Sequence, residues 1–465
     1  MRRYQADKHS RRLVNSEVPL LELSSLTVKR GKSTVLNSVD LQIISGDVVV
    51  LVGENGAGKS TLIEAAAGIL NLSAGKVQHR GQSIRDSDGR RTQPPPFGLA
   101  LQSGGFSQDE LVNERVATAA STSRRDTNEE WVSNLLEEWG LRHRSQDRIA
   151  WLSGGMKRKV GIIAGLTPAL ASDEPRLILL DEPSEGLDEN SIQTLKNQIS
   201  SLASLGHAFI IATHDESLSN LATRCITMSD SNITEDKVEK NEKGDDLKVK
   251  SLPISKVDTY ALKPQGKWTS TLEKRTRISA INRAISGLIA LVVIVGMLSQ
   301  IEPPTNNSWL ALLALTPALI SALVRPGYLN HLSDSRAGDW WNAQLGKPLQ
   351  MSFRIENQFY VPFLLALLSI YFLFGNTPQM LVVSGGFICF TLAAARIHSL
   401  ESTFPRQGAN LVLLLLLILI WPFLLSVDLL AMDGFSINNE TITQVLATYL
   451  MPLAIWILVP LIASE

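Results

Sequence analysis

The residues of this chain with the clearest chemistry lie between positions 53 and 61, and they have the types and spacing of a phosphate-binding loop. They read Gly53-Glu54-Asn55-Gly56-Ala57-Gly58-Lys59-Ser60-Thr61. The glycines allow successive backbone N–H groups to wrap a phosphate at the positive end of a helix. Lys59 is predicted to reach the outer phosphates of a nucleotide, and Ser60 is predicted to offer its hydroxyl to Mg²⁺.

The flanking segments have the composition of the two elements that must position such a loop. Before the loop, the apolar and β-branched run Asp47-Val48-Val49-Val50-Leu51-Val52 predicts a buried parallel strand. After it, Thr61-Leu62-Ile63-Glu64-Ala65-Ala66-Ala67 has helix-forming composition. Strand, loop and helix therefore follow in the order that phosphate binding requires. A chance glycine-rich turn before a helix is the alternative on this motif alone.

A second glycine-containing helix start is the segment Leu152-Ser153-Gly154-Gly155-Met156-Lys157-Arg158-Lys159. It resembles the signature of ABC ATPases, in which a serine and two glycines open a helix and a basic run follows. Met156 stands where that family usually has glutamine. The resemblance implies an α/β P-loop domain that binds and hydrolyses ATP through residues 53–61. It also implies that Ser153, Gly154 and Gly155 face the γ-phosphate held by the opposite subunit.

The same resemblance implies roles for residues at the ends of three further apolar strands. Gln102 stands where the family has the glutamine that senses Mg²⁺ and the γ-phosphate. Asp181 is expected to hold Mg²⁺ and Glu182 to orient or deprotonate the attacking water. His214 resembles the switch histidine that contacts the γ-phosphate. Catalysis is thus assigned to Glu182 and His214, and Mg²⁺ to Ser60, Gln102 and Asp181.

Each of these motifs has a structural alternative when it is taken alone. Asp181 and Glu182 also fit an acidic turn after a core strand, and a histidine at a strand end is usually structural or solvated. Residues 184–188 resemble the loop through which two ATP sites communicate. Arg30 lies where most ABC ATPases have an aromatic side chain against adenine, so it is predicted either to stack on the base or to be a solvated arginine.

The chain is expected to have four parts. The resemblance implies an ABC ATP-binding domain at 20–228, and composition indicates a basic extension at 1–19, a charged linker at 229–270 and a transmembrane domain at 271–465. Short apolar runs between 20 and 51 predict strands of an antiparallel subdomain. The polar segment 80–96 is predicted to be a surface loop, and 128–140 a packed helix. The fold class is an α/β ATPase domain followed by six transmembrane helices.

Overall charge and cysteine content exclude several classes of partner. The 465 residues carry a net charge of -1, which gives no push toward nucleic acid. The 2 cysteines lie outside any CxxC pattern, so neither a disulfide framework nor a cysteine metal site is predicted. The N-terminal segment lacks the apolar run of a secretory signal, so the first half is expected to remain in the cytosol.

The second half contains six apolar runs long enough to be candidate membrane spans. They cover approximately 280–299, 308–324, 355–374, 380–399, 409–427 and 443–463. With a cytosolic ATPase domain, the inside segments carry the cations and the outside loops carry only acidic charge, as the positive-inside rule requires. The prediction is a multi-pass protein of the inner (plasma) membrane with both termini in the cytoplasm.

The inside segment Ser333–Pro348 is the predicted coupling helix. Its pair Trp340-Trp341 either fits a groove on the ATPase domain or belongs to an interfacial aromatic belt. Gly338-Asp339-Trp340-Trp341 and Arg406-Gln407-Gly408 resemble the membrane subunit of the cytochrome c maturation complex (haem exporter B type), and Arg30 resembles a basic residue of its ATPase subunit (A type). The resemblance implies that ATP hydrolysis drives haem handling or release of the haem chaperone, together with other maturation subunits.

Two other functions remain open from the sequence. One is a generic exporter of a drug, lipid or polysaccharide, and the other is a membrane-tethered ATPase that regulates a partner complex. With one phosphate loop and one signature in the chain, the family pattern predicts a homodimer with two shared ATP sites. ATP and Mg²⁺ are the predicted cofactors.

Overall fold

The computed structural model describes residues 18–123, 127–229, 231–237, 264–275, 278–300, 306–324, 336–346, 357–403, 416–433 and 438–464. The strands are β1 (Leu21–Arg30), β2 (Ser33–Ile43), β3 (Val48–Val52), β4 (Ala74–His79), β5 (Gln82–Asp86), β6 (Gly98–Ala100), β7 (Leu177–Asp181), β8 (Ala208–Ala212), β9 (Arg224–Ser229) and β10 (Asn232–Lys237). The helices among them are α1 (Lys59–Ala66), α2 (Val112–Thr122), α3 (Glu129–Glu138), α4 (Gly154–Leu170), α5 (Glu189–Ser204) and α6 (Glu216–Ser219).

The first sheet is antiparallel and has the order β2-β1-β4-β5. It confirms the predicted antiparallel subdomain, but the short runs expected between 20 and 43 join into two long strands. The register between β1 and β2 shifts near Leu23, Leu26 and Val28. Ser25 and Ser38 have positive φ angles of 48° and 50° at these irregularities. Bulges of this kind interrupt the alternation of apolar residues without ending a strand.

The segment 80–96 is not wholly a surface loop, because β5 lies within it and pairs with β4. The buried residues of β5 are Ile84 and Arg85. The Arg85 guanidinium donates to the carbonyl oxygens of Leu70 (3.2 Å) and Gly89 (3.3 Å). A polar edge strand gives little apolar alternation, which is why the sequence pattern missed it.

The second sheet has the order β10-β9-β3-β8-β7-β6. Five of its strands are parallel, and β10 pairs with β9 in the antiparallel sense at the edge. Alternate residues of the central strands face two apolar layers, so Val49 and Leu51 contribute to one core and Val48 and Val50 to the other. The predicted α/β ATPase fold is confirmed. The carboxyl ends of β3, β6, β7 and β8 meet at one edge.

The predicted helix at 128–140 is confirmed as α3, and Asn128 caps its first turn by accepting a hydrogen bond from the Trp131 amide (2.8 Å). Two elements lie within the predicted linker 229–270: the edge strand β10 and the start of helix α7 (Pro264–Arg275). Residues 1–17 and 238–263 lie outside the described residues.

The described residues of the rest of the chain form helices and the short connections between them. The helices are α8 (Ile278–Gln300), α9 (Asn307–Leu323), α10 (Ala337–Leu345), α11 (Asn357–Phe374), α12 (Met380–Thr403), α13 (Ile420–Ala431) and α14 (Asn439–Ser464). Within the described ranges, three helices have the length and apolarity of candidate membrane spans, at Ile281–Gln300, Gln379–His398 and Asn439–Val459. Shorter apolar helices cover Asn307–Leu323, Tyr360–Phe374 and Leu416–Ala431. Parts of the predicted spans at 355–374 and 409–427 lie outside the described residues, so the count of six stays a prediction.

Candidate functional site

The predicted site residues follow the carboxyl ends of four strands that pair in parallel. The phosphate loop follows β3, Gln102 follows β6, Glu182 follows β7 and His214 follows β8. Because β3 pairs with β8, β8 with β7 and β7 with β6, these strand ends are neighbours. Ligands of open parallel sheets bind at this edge, where helix N-termini also point.

The phosphate loop has the predicted strand, loop and helix context. Gly58 takes the left-handed conformation (φ 104°) as the N-cap of α1. The buried Lys59 ammonium donates hydrogen bonds to the carbonyl oxygens of Gly53 (2.7 Å) and Glu54 (3.1 Å). The lysine is thus held inside its own loop. Glu54, Asn55 and Gly56 are exposed at the loop tip, Ala57 and Ser60 are partly buried, and Thr61 is buried in α1.

Two oxygen groups meet where the loop approaches β7. The Ser60 hydroxyl donates to Asp181 Oδ1 at 3.0 Å, although 121 residues separate the two in sequence. Burial raises the pKa of the Asp181 carboxyl above its ordinary value, and the hydrogen bond from Ser60 opposes this shift. A hydroxyl and one carboxylate fit Mg²⁺, which prefers oxygen ligands and is usually completed by water and substrate phosphate. The described residues contain no group of three His, Cys, Asp or Glu that would form an all-protein metal site.

Glu182 and His214 form the second pair at this edge. His214 Nε2 lies 3.4 Å from Glu182 Oε1, and the His214 amide donates to Glu182 Oε2 at 3.3 Å. The His214 side chain is half exposed, whereas that of Glu182 is 17% exposed. Glu182 has a positive φ of 49°, which is unusual for a residue with a side chain. An acid and a base are therefore held together beside the phosphate loop.

Two groups of predicted site residues are not brought to these pairs. The Gln102 amide donates to Glu185 Oε2 (3.1 Å), in the loop after β7, and not to Ser60 or Asp181. Ser153 caps α4 by accepting from the Met156 amide (3.3 Å). Among the contacts of the described residues, none joins residues 153–155 to the phosphate loop. Ser153 and Gly154 are exposed at the start of α4, and Gly155 is half-buried.

Sequence reasoning missed Glu64, which is one turn beyond Lys59 on α1. The Glu64 side chain is 4% exposed and accepts hydrogen bonds from both Arg30 and Arg336. Arg30 is thus not a simple solvated arginine at the end of β1, because it is paired with Glu64. Arg336 precedes α10 with a positive φ of 62° and also donates to Asp339 (2.6 Å). No local pattern signals this cluster, since its members lie far apart in the sequence.

Helix α10, in the predicted coupling segment, is docked on the ATPase domain. Trp340 and Trp341 are buried, and the Arg115 guanidinium of α2 lies 3.7 Å from the ring centre of Trp340. Gln344 donates to the Phe97 carbonyl oxygen (3.3 Å). The aromatic pair therefore fits a groove on the ATPase domain, and the alternative of an interfacial belt is wrong for these two residues.

Helix α7 contacts the same region. Trp268 lies against Trp341, with ring centres 5.4 Å apart. Arg275, at the end of α7, forms two hydrogen bonds with the Glu114 carboxylate (2.6 and 2.9 Å). A two-pronged arginine–carboxylate contact fixes orientation as well as distance. The ATPase domain is thus held by both α7 and α10.

The comparisons with known proteins identify the first half of the chain. The family model described as "ABC transporter" matches residues 36–185. The chain is 35% identical over 200 residues to the lipoprotein-releasing system ATP-binding protein LolD of a Shewanella species, which covers 42% of this chain and 84% of that protein. A solved "Structure of ATP binding subunit of ABC transporter" covers 47% of the chain at 24% identity, with a TM-score of 0.42.

Two further relatives combine ATP-binding and permease parts. The macrolide export ATP-binding/permease protein MacB of Marinobacter nauticus is 28% identical over 292 residues, covering 61% of this chain and 44% of that protein. The pyoverdine export ATP-binding/permease protein PvdT of Pseudomonas aeruginosa is 28% identical over 313 residues, covering 61% of this chain and 45% of that protein. The chain spans less than half the length of these two relatives.

Proposed function

The chain belongs to the ABC transporter family, and on that premise we propose that it is an exporter driven by ATP hydrolysis. The enzyme class predicted from the sequence, an ATPase, is confirmed for the N-terminal domain, and ATP is its nucleotide. The observation that carries the proposal is the docking of helix α10 onto the domain whose strand ends hold Lys59, Asp181 and Glu182. Because α10 lies in the chain between apolar helices α9 and α11, this docking connects the proposed hydrolytic site to the apolar half of the chain.

The proposed roles at the ATP site follow from the contacts of each group. Lys59 exchanges its two carbonyl acceptors in the loop for phosphate oxygens, which are stronger acceptors for an ammonium group. Ser60 and Asp181 would hold Mg²⁺, which would supply charge neutralisation to the phosphates. Glu182 orients and deprotonates water, and His214 contacts the γ-phosphate. Gln102 joins this set by leaving Glu185.

The proposed assembly is a homodimer that shares two ATP sites. Ser153 and Gly154 are exposed at the start of α4 and Gly155 is half-buried, and the described contacts of these three residues do not reach the phosphate loop of the same chain. A helix N-terminus in this position is available to a nucleotide held by a second copy. ATP would then close the two ATPase domains, and hydrolysis through Glu182 would reopen them.

The closing motion is proposed to reach the membrane half through α10. Glu64 lies on the helix that begins with Lys59, and it bonds Arg336 at the start of α10. The tryptophan pair anchors the rest of that helix on the ATPase domain. A displacement of α1 on nucleotide binding therefore acts on α10 through a buried carboxylate rather than through solvent.

The proposed domain limits are 20–228 for the ATPase and 271–465 for the transmembrane domain, with a linker at 229–270. The proposed location is the inner membrane, with several spans and with the ATPase domain in the cytoplasm. The three long apolar helices and the positive-inside pattern support this arrangement.

The substrate is proposed to be of the generic exporter class, a drug, lipid or polysaccharide. The relatives with a permease part are named for export of a macrolide and of pyoverdine. The cytochrome c maturation function, expected from the resemblance in Gly338–Trp341 and 406–408, receives no support from these relatives. The haem chaperone and other maturation subunits are therefore not included among the proposed partners.

The test compares a gene deletion strain with strains complemented by the wild type or by Lys59→Ala. Metabolites and lipids of cells and medium are profiled by mass spectrometry, and membrane proteins are stained for covalent haem. We expect at least one compound to fall in the medium and rise in cells, with rescue by the wild type only. Identical profiles in all strains would contradict an exporter. Loss of every c-type cytochrome would instead restore the haem function.

A further inference from the structure

The buried side chain of Arg158 connects two strand ends of the candidate site. Arg158 lies in the second turn of α4, just beyond the signature, and is 8% exposed. Its Nη1 donates to the carbonyl oxygens of Leu101 (3.0 Å) and Gln102 (2.9 Å). Its Nη2 donates to the carbonyl oxygens of Asp181 and Glu182. One guanidinium thus binds four backbone groups that directly follow or end β6 and β7.

The ladder between β6 and β7 ends at the pair Ala100 and Leu180, so the carbonyl groups of Gln102 and Asp181 lie beyond it and accept from Arg158. Those of Leu101 and Glu182 also accept from the backbone amides three residues further along the chain (3.0 and 3.2 Å). Buried backbone acceptors without partners are costly, and a planar guanidinium presents parallel N–H groups that can serve two pairs at once. A lysine ammonium has a single nitrogen and cannot span both pairs in this way. The choice of arginine is therefore explained by the geometry of two adjacent strand ends.

The contact matters most at Glu182, whose backbone is in the left-handed region with φ 49°. Such a conformation persists in a residue with a side chain only when its surroundings hold it. The Glu182 amide donates to the Ala212 carbonyl oxygen (2.8 Å), and its own carbonyl group accepts from Arg158. The backbone of Glu182 is thus held at both its amide and its carbonyl group, and its carboxylate is directed to His214.

The first turns of α4 also contact the loop that follows Glu182. Lys159 pairs with Asp188 at 2.7 Å, and this hydrogen bond is the main cause that lowers the pKa of Asp188 to about 2. A β-carbon added at Gly155 would lie 2.8 Å from the Gly186 carbonyl oxygen. The start of α4 and the strand ends at β6 and β7 are therefore one connected unit.

We propose that Arg158 is a positioning residue for ATP hydrolysis, which holds the Gln102 and Glu182 backbones in the arrangement that catalysis requires. It does not touch the nucleotide; it acts through Glu182 and Gln102. Because α4 begins at the signature, Arg158 also links the part of the chain that faces the second copy to the catalytic carboxylate of its own chain. This inference rests on the proposed ATPase function.

A purely structural role for Arg158 is separated from a positioning role by a matched arginine. Arg85 is equally buried, at 3% exposure, and it also donates to backbone carbonyl groups, those of Leu70 and Gly89. It lies in β5 of the antiparallel sheet, away from the strand ends of the candidate site. Loss of either arginine leaves buried carbonyl groups without a donor, but only Arg158 is connected to Glu182.

The test measures kcat and KM for ATP hydrolysis by the full chain in detergent or nanodiscs, with the melting temperature of each variant as a control for folding. For Arg158→Gln we expect kcat to fall about 100-fold, the scale of a small misplacement of a catalytic group, with KM within about 3-fold of the wild type. Arg158→Lys keeps the charge and is expected to recover part of kcat. Arg85→Gln is expected to lower the melting temperature but to keep kcat within about 3-fold.

Three results would overturn the inference. They are an unchanged kcat in Arg158→Gln, an equal loss of kcat in Arg85→Gln, and a loss in Arg158→Gln that appears in KM rather than in kcat. If Arg158→Gln does not fold, the Arg158→Lys variant decides by the same comparison with Arg85→Gln. Failure of the wild type to hydrolyse ATP would contradict the proposed function itself, so the two failures are distinguishable.

Discussion

Replacing the two arginines that share Glu64 gives a sharp expectation, because their effects on stability are expected not to add. The Glu64 carboxylate is 4% exposed, whereas Arg30 is 52% and Arg336 is 33% exposed. Removal of either arginine leaves Glu64 with the other one. Since each arginine is itself partly solvated, we expect Arg30→Met or Arg336→Met alone to cost only about 1 kcal/mol in the free energy of unfolding.

Removal of both arginines leaves a buried carboxylate with no cation, which typically costs about 3 to 5 kcal/mol. The sum of the single changes is about 2 kcal/mol, so the expected coupling energy between Arg30 and Arg336 is about 1 to 3 kcal/mol. Adding Glu64→Gln to the double variant removes the stranded charge. We therefore expect this triple variant to be more stable than the double variant.

The assay is urea unfolding of the full chain in detergent micelles, followed by tryptophan fluorescence, because Trp340 and Trp341 lie beside this cluster at the contact between α10 and the ATPase domain. The four forms of the cycle and the triple variant are compared at one pH and salt concentration. Additive single and double changes, within about 0.5 kcal/mol, would refute the view that Glu64 is one buried charge shared by two arginines. A triple variant less stable than the double variant would refute it as well.

Two further expectations concern the docking of α10 and the pH dependence of folding. Gly346 has φ +64°, and a β-carbon there would lie 2.0 Å from the Thr92 carbonyl oxygen, whereas Gly375 has φ +73° with nothing within 4 Å. Gly346→Ala is therefore expected to displace α10 and to shift the tryptophan emission to the red. Gly375→Ala carries only the backbone strain of about 1 to 2 kcal/mol and is expected to leave the emission unchanged. Equal spectra for the two variants would contradict the close contact at Gly346. Burial lowers the pKa of His79, whose ring contacts the Ala66 carbonyl oxygen at 2.8 Å, to about 4. The unfolded chain thus binds a proton that the folded chain excludes, so stability is lost as pH falls from 6.5 toward 4, by about 2 kcal/mol between pH 7 and pH 5. We expect urea unfolding at pH 7 and pH 5 to show that His79→Gln loses less free energy of unfolding than the wild type, by this amount. An equal loss in the variant and the wild type would contradict a buried neutral ring at His79.

The parts of the site that follow from chain order could be predicted from the sequence. A glycine loop after one apolar strand and carboxylates at the end of another come to the same edge when both strands run parallel in one sheet, because their carboxyl ends share that edge. Here β3 and β7 are separated by β8 alone. Ser60 and Asp181 meet in this way across 121 residues. The sequence also indicated the tryptophan pair of α10, but it left a groove on the ATPase domain and an interfacial belt as equal alternatives.

The remaining features depend on the contacts that long side chains make with distant parts of the chain, and the local periodicity of the sequence does not predict such contacts. Arg158 appeared only as part of a basic run, yet its guanidinium lies among four backbone carbonyl groups. Glu64 appeared as an ordinary residue of a helix. Helix α7 was not predicted because it has few apolar residues; its buried Trp268 and Leu272 belong to the core that also contains the tryptophan pair of α10. Strand β5 was missed since an edge strand with a buried arginine lacks apolar alternation.

The measurement that bears most directly on the proposed function is ATP turnover and retention by the purified full chain and its Glu182→Gln variant. Glu182 lies beside His214 and is proposed to activate water, whereas Lys59, which is proposed to bind the phosphates, makes its own contacts within the phosphate loop. We expect the wild type to hydrolyse ATP, and the variant to lose turnover by at least about 100-fold while keeping ATP in a stable pair of chains seen by light scattering. Normal turnover in Glu182→Gln, or a variant that stays monomeric with ATP, would contradict the proposed ATP site and its shared use by two copies.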